Sequence, residues 1–420
     1  MSVQQSSPVS PPRSRRAFLA ASVSLVCAFV ASASPIPLFN TYRSQDGLTT
    51  ADLSVAVVAY FAGTIVALMS LGRLSTHLGR RPVSIATVLV LMAGCAVLLD
   101  VHSIVPLAAG RFLMGVGSGM ASSTLMAYVV DSAPADPPWL ASVVTSQAPN
   151  LGLAVGVATS GVLVDYGPVP RVAVYVVMLA ALAACAIALW LAPETHGGQP
   201  GWARSLRPRV GLPARARSLL PVAACGFAAT WAMGAAYQAF GPTITADFLH
   251  TNSALAMAAV FASYMAPNVL GAPLSGRLSP AGAQRVGMVV FTLAAFGLLV
   301  SLFSGNFIGF IAAGVVAGAS QGIVMSGSMR GLLYRVAPAD RASVLAAIYL
   351  VCYLGAAVPN LISGQLTRVF SVPQVMSGYV ALAVLALVLT LVGAREPSGD
   401  RTPPATDDPV LEDAASTRTR

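Results

Sequence analysis

Gly72-Arg73-Leu74-Ser75 and Gly276-Arg277-Leu278-Ser279 are the same tetrapeptide, 204 positions apart. At the same offset, Ala133-Pro134-Ala135-Asp136 returns as Ala337-Pro338-Ala339-Asp340. A third echo, Pro149-Asn150-Leu151 and Pro359-Asn360-Leu361, lies at an offset of 210. In so biased a composition one match means little. Two at a single offset, both in polar breaks between apolar stretches, mark an internal duplication.

Composition says what was duplicated. Of 420 residues, 56% are hydrophobic and 9% charged, against roughly 25% charged in soluble domains. A water-soluble chain of this length covers its surface with charge, and this one cannot. Apolar runs long enough to cross a bilayer, about 20 residues each, are predicted at 17–39, 53–72, 83–100, 105–130, 140–164 and 171–192. A second set follows at 218–242, 254–275, 285–304, 306–329, 342–366 and 375–393. Each run must satisfy its own backbone hydrogen bonds in lipid, which selects helices; a barrel would show short alternating strands. The predicted fold is an all-α membrane protein of twelve transmembrane helices. Six helices per copy give the two halves, 17–192 and 218–394, the same orientation. Transporters built from parallel repeats hold their substrate near the midplane.

The formal net charge of +9 gains meaning from its distribution. All 24 basic residues are arginine. Arg13, Arg15 and Arg16 precede the first span, and Arg73, Arg80 and Arg81 follow the second. Arg204, Arg207, Arg209, Arg215 and Arg217 fill the linker 193–217, and Arg330, Arg335 and Arg341 fall between spans ten and eleven. The opposite side carries only Arg43, Arg171 and Arg368. Positive loops stay cytoplasmic during insertion, so both termini are predicted cytoplasmic, and no nucleic-acid partner is expected. The tail 1–16, rich in Ser, Pro and Gln, and the tail 395–420, with Pro403-Pro404 and acidic Asp407, Asp408, Glu412 and Asp413, are predicted disordered. Ser14-Arg15-Arg16-Ala17-Phe18-Leu19 also matches a twin-arginine export signal, with Ala31-Ser32-Ala33 as its cleavage site. Eleven further spans argue for a retained first helix instead. Cys27, Cys95, Cys185, Cys225 and Cys352 all lie within spans and without metal-binding spacing; they read as small apolar residues.

The loop after the second span is the most specific motif. Gly72-Arg73-Leu74-Ser75-Thr76-His77-Leu78-Gly79-Arg80-Arg81 resembles the signature loop of the major facilitator superfamily, of Gly-x-Leu-x-Asp-Arg-x-Gly-Arg-Arg type. Leu107 to Gly117, with Arg111 inside it, resembles the family's motif in the fourth helix. Gly152, Gly156, Val157, Ser160 and Gly161 resemble a degraded form of its exporter motif in the fifth, and also suit ordinary close helix packing. Gly314, Gly318 and Gly322 read as packing alone. The resemblance implies a transporter that works by alternating access. It implies gating roles for Gly72, Thr76, Gly79, Arg80, Arg81 and Asp131, with a late motif arginine paired to the acid that closes helix four. Thr76 stands where the family has Asp. It can accept a backbone hydrogen bond at a helix N-terminus but brings no charge to the dipole, so the cytoplasmic latch is expected to be weak.

Arg111 is the one charge well inside a span. It either faces the cavity as a substrate contact or proton-coupling partner, or snorkels outward and pairs with Asp52 or Asp100. No acid lies at mid-span, and His77, His102, His196 and His250 sit in loops. A strongly cationic substrate would find no countercharge, so a small neutral, amphipathic or anionic organic molecule is expected. Proton coupling stays open through Asp52, Asp131 or Asp165. Polar residues available to a cavity are Gln147, Asn150, Tyr237, Gln238, Asn268, Gln321, Tyr349, Tyr353 and Asn360. Tyr349 and Tyr353 share a helix face at i, i+4. Asn150, Asn268 and Asn360 each follow a proline and could equally satisfy backbone groups freed by a kink.

No Ser/His/Asp set, metal cluster or phosphate loop is present, so neither an enzyme nor a cofactor is expected. The leading expectation is a monomeric secondary active exporter in a bacterial inner membrane. Import or facilitated diffusion of a sugar or organic acid comes second, and a transport-inactive sensor on the same fold third.

Overall fold

The computed structural model describes residues 14–134, 136–137, 140–206, 214–334, 336 and 338–396. The predictions for most of both tails and for the middle of the linker lie outside the described residues. Among the described residues, twelve helices are long and apolar enough to cross a membrane. In chain order these are α1 (Arg15–Asp46), α2 (Thr50–Leu71), α3 (Arg80–Val97), α4 (Ile104–Ser132), α5 (Leu140–Tyr166) and α6 (Pro170–Leu191). The second set is α7 (Arg217–Phe248), α8 (Ala254–Ser275), α9 (Pro280–Phe303), α10 (Phe307–Leu332), α11 (Ser343–Leu366) and α12 (Val372–Gly393). The described residues contain no strand.

The duplication read from the sequence is also a duplication of packing. In the first half α1 packs on α5 and α6, α4 on α2 and α3, and α3 on α6. The second half repeats each pair: α7 on α11 and α12, α10 on α8 and α9, and α9 on α12. The halves meet along α2 with α11 and α5 with α8, a pair of seams that exchange under a two-fold axis.

Two spans run well past the ends that hydropathy predicts. α1 continues past the expected end at 39 to Asp46, and α7 continues past 242 to Phe248. Pro35 and Pro37 turn α1 through a 3-10 segment, Ile36–Leu38, and a further helix, Phe39–Asp46, carries on. Proline removes a ladder donor without ending the chain's helical direction. The added segments carry Asn40, Thr41, Arg43, Ser44, Gln45 and Asp46 on α1 and Thr243, Thr245 and Asp247 on α7, so hydropathy marks them only weakly. They occupy matching places in the two halves, and there Arg43 meets Asp247 at 3.0 Å, again 204 positions apart.

Small residues set how closely helices approach. On α10, Gly318 lies against the Tyr264 carbonyl of α8, and Gly322 against Asn268 and Gly271. On α5, Gly152 and Gly156 lie against the α1 backbone, while Gly161 approaches Ala254 of α8. Ser160 Oγ donates to the Ser34 carbonyl at 2.6 Å. The stretch from Gly152 to Gly161 therefore wedges α5 between α1 of its own half and α8 of the other.

Candidate functional site

The break in α1 prepares a polar site inside the bundle. Pro35 and Pro37 interrupt the helical ladder, and the Ser32 carbonyl just before it accepts from Arg111 Nη1 at 2.6 Å. Ser32 Oγ is also 2.6 Å from Ser118 Oγ on α4, tying α1 to the helix that carries the arginine. Arg111 itself is fully buried. Its guanidinium lies 4.5 Å from the ring centre of Tyr60 on α2, a cation over an aromatic face. Nη2 donates to Gln238 Oε1 on α7 at 3.1 Å, so the arginine of one half is bonded to the other. Nε finds no acceptor. Among the described residues no carboxylate pairs with it. The predicted alternative of pairing with Asp52 or Asp100 is not found: Asp52 caps α2 through Thr49, and Asp100 lies 2.6 Å from His102.

An aromatic chain runs on from Tyr60. Its ring is 5.5 Å from that of Phe61, Phe61 is 5.9 Å from Tyr353 on α11, and Tyr353 is 5.1 Å from Trp231 on α7. Tyr349 lies one turn further along α11, 6.4 Å from Tyr353. Trp231, Tyr349 and Tyr353 are only partly buried although they sit at mid-span. Tyr349 and Tyr353 keep partly exposed faces beside these rings, where α11 meets α2 and α7.

Of the predicted site residues, the structure joins Arg111, Gln238, Tyr353 and Tyr349 through these contacts. Asn360 lies on the same seam, fully buried, with Nδ2 donating to the Ser54 carbonyl of α2 at 3.3 Å. It bonds the other half rather than a backbone group freed by its own proline. Tyr237 goes elsewhere. It stacks on Tyr264 at 4.8 Å inside the second half, with its hydroxyl beside Gly314. Gln321 is buried on α10, Asn268 half-buried in the 3-10 turn Ala266–Leu270, and Gln147 and Asn150 half-buried on α5. No described side-chain bond links these four to Arg111.

At the arginine-rich end, Arg80 Nε donates to Asp131 at 2.7 Å and its Nη1 to Ser75 at 2.7 Å. Gly79, at φ +99°, makes the turn into α3. Gly72 ends the wide turn Ala67–Leu71 of α2. The expectation that Thr76 serves a helix N-terminus is corrected. Thr76 is the third residue of a short helix, Leu74–Leu78, and the carboxylate at the start of α3 is Glu194. It accepts the Arg80 and Arg81 amides, each at 2.9 Å. Glu396 does the same for α9, accepting from Ser279 Oγ at 2.5 Å and the Ala281 amide at 3.3 Å. Each half thus ends its sixth helix with an acid that returns to the start of its third.

The opposite end is where the halves are tied. Asn40 donates to the Pro242 carbonyl at 3.1 Å, Thr50 meets Thr243 at 3.2 Å, and Arg43 meets Asp247. Asp165 of α5 accepts from Ser253 Oγ at 2.7 Å and from the Ala254 and Leu255 amides at 2.8 and 3.0 Å. A carboxylate of one half therefore caps a helix of the other.

Sequence reading missed Ser32, Tyr60, Phe61, Ser118, Trp231, Glu194 and Glu396. The repeat offset held a signal for three of them: Tyr60 and Tyr264 are 204 apart, and Glu194 and Glu396 are 202 apart.

The sequence profile described as Major Facilitator Superfamily matches residues 21–233 and again 222–418. Among solved structures, one described as the crystal structure of D-xylose-proton symporter superposes with a TM-score of 0.69. The match covers 91% of this chain and 98% of that one at 14% identity, a likeness of fold. No curated protein sequence matches the chain.

Proposed function

This chain belongs to the major facilitator superfamily, and we propose from that premise that it exports a small neutral, amphipathic or anionic organic molecule. It is a multi-pass membrane transporter; the substrate class, the direction and the sites are the proposal. The observation that carries it is Arg111, buried where the halves meet, bonded to Ser32 of one and Gln238 of the other, without a carboxylate partner. A buried, incompletely bonded cation disfavours a cationic cargo and favours a solute that brings acceptors. Bonds to both halves put it where rocking of one half against the other would make and break contacts. Gly72, Thr76, Gly79, Arg80, Arg81 and Asp131 then work the arginine-rich end, which the charge bias assigns to the cytoplasm, with the protein acting as a monomer. Ties at the far end support a state closed there, in which an exporter loads from the cytoplasm and an importer would release to it. The first helix is retained in this reading, since cleavage after Ala33 would remove Ser32.

Two measurements test it. Labelled solutes are followed in cells with and without an uncoupler. Lower accumulation than in cells without the protein, reversed by the uncoupler, supports export driven by the proton gradient; higher accumulation identifies an importer. In purified proteoliposomes, Arg111→Ala is expected to insert at normal abundance and lose exchange of the transported solute. Full exchange by that variant would remove Arg111 from the site.

A further inference from the structure

The guanidinium of Arg111 is bonded unevenly. Nη1 donates to the Ser32 carbonyl, and the π face is covered by Tyr60. The remaining edge, formed by Nε and Nη2, points its two N–H groups in parallel, the geometry that grips both oxygens of a carboxylate. Here it meets only one neutral oxygen, Gln238 Oε1, and Nε is left without an acceptor. A buried donor without a partner is costly, so this edge would gain from a ligand that brings two acceptor oxygens, as a carboxylate does.

Gln238 and Trp231 are seven residues apart on α7 and therefore share a face, about 10 Å apart along the axis. Trp231, Tyr353 and Phe61 form one cluster of rings, of which Trp231 and Tyr353 are partly exposed. No charged group takes part in its ring contacts beyond Tyr60. A molecule reaching from the edge of Arg111 to this cage has a carboxylate at one end and a ring at the other, a few carbons away.

We propose that the substrate is an aryl-alkanoic acid in its anionic form, its carboxylate displacing Gln238 from the Nε–Nη2 edge of Arg111 and its ring entering the Trp231–Tyr353–Phe61 cage. The proposal rests on the transport reading above and narrows its substrate class. Gln238 acts as the gatekeeper: it holds the edge while the site is empty and yields to a better acceptor.

The test is equilibrium binding to the purified full-length protein in lipid nanodiscs, by titration calorimetry near pH 7. The probes are 4-phenylbutanoate, its neutral amide, and butanoate. Wild type is expected to bind 4-phenylbutanoate at least tenfold more tightly than either of the others. Gln238→Glu places a permanent carboxylate on the same edge and is nearly the same size. It should weaken 4-phenylbutanoate at least tenfold and leave the amide within about twofold. Gln238→Met removes the neutral oxygen and should retain or tighten binding of the acid. Trp231→Leu should weaken acid and amide alike, keeping their ratio. Equal binding of acid and amide by wild type, or undiminished binding of the acid by Gln238→Glu, overturns the proposal. Proteoliposome exchange of the same acid separates this from the transport reading. Binding with the expected pattern but without exchange keeps the site and removes transport. Exchange of other solutes by a protein that does not bind the acid keeps transport and removes this substrate.

Discussion

Gly79 shows how one residue holds a local structure that many contacts depend on. Its φ of +99° and ψ of 153° lie in a region open essentially to glycine. An added methyl would also stand 2.6 Å from Glu194 Oε2, the oxygen that accepts the Arg81 amide. Gly79→Ala is therefore expected to cost about 1–3 kcal/mol and to lower the unfolding midpoint in detergent. Gly378→Ala, inside α12 where nothing lies within 4 Å of the new methyl, should hold or raise it, since Ala favours the helix. Equal midpoints for the two variants would mean that the turn into α3 contributes nothing to stability. Arg111 is the opposite kind of residue. Its identity was legible at once as a charge inside a span, but its partners were not, because Ser32, Tyr60 and Gln238 come from three other helices.

Helices of this chain associate through backbone proximity more than through shaped apolar ridges. Lipid offers apolar side chains no solvent to escape, so contact depends on how near two backbones can come. The α8–α10 contact is the clearest case, with Gly318 on the Tyr264 carbonyl and Gly322 on Asn268 and Gly271. Gly318→Leu must separate the two helices, and overpacking of this kind costs about 1–3 kcal/mol or more. The expected result is a sharp fall in folded, monodisperse protein by fluorescence-detected chromatography. Val316→Leu, on the exposed face of the same helix at 44% relative exposure, should behave as wild type. The spacing of Gly314, Gly318 and Gly322 marked this interface in the sequence. It could not say which neighbour would occupy it, since every span of the chain is apolar.

At the scale of the molecule, two six-helix units face each other with their third helices anchored by Glu194 and Glu396 and their far ends tied together. Loss of an N-cap costs about 0.5–2 kcal/mol, and an exposed ion pair contributes about 0–1 kcal/mol. Removing Asp165 and Arg43 together should then weaken closure at that end by roughly 1–2 kcal/mol, a shift of about 5- to 30-fold in the two populations. Spin labels at Tyr166 and Val369, exposed residues of opposite halves at 79% and 80%, would report it as growth of a longer distance in Asp165→Ala/Arg43→Ala. An unchanged distance distribution would show that the seams along α2–α11 and α5–α8 close this end without those ties.

Hydropathy, repeat offset and arginine placement determined the class, the helix count and the two-unit architecture. Each rests on a property that lipid imposes locally: a span must be about 20 residues long and satisfy its own backbone. The polar ends of α1 and α7 escaped that reading because they extend the helix where apolar character is no longer required. Only the tertiary structure decided the site. It directs Tyr237 into the second half while its neighbour Gln238 reaches Arg111, because adjacent residues on a helix point about 100° apart. It also sets Glu194, rather than Thr76, at the start of α3, and makes Asp165 of one half the cap of a helix in the other. These contacts join residues far apart in the chain, and no local rule of lipid or backbone dictates which polar group will meet which.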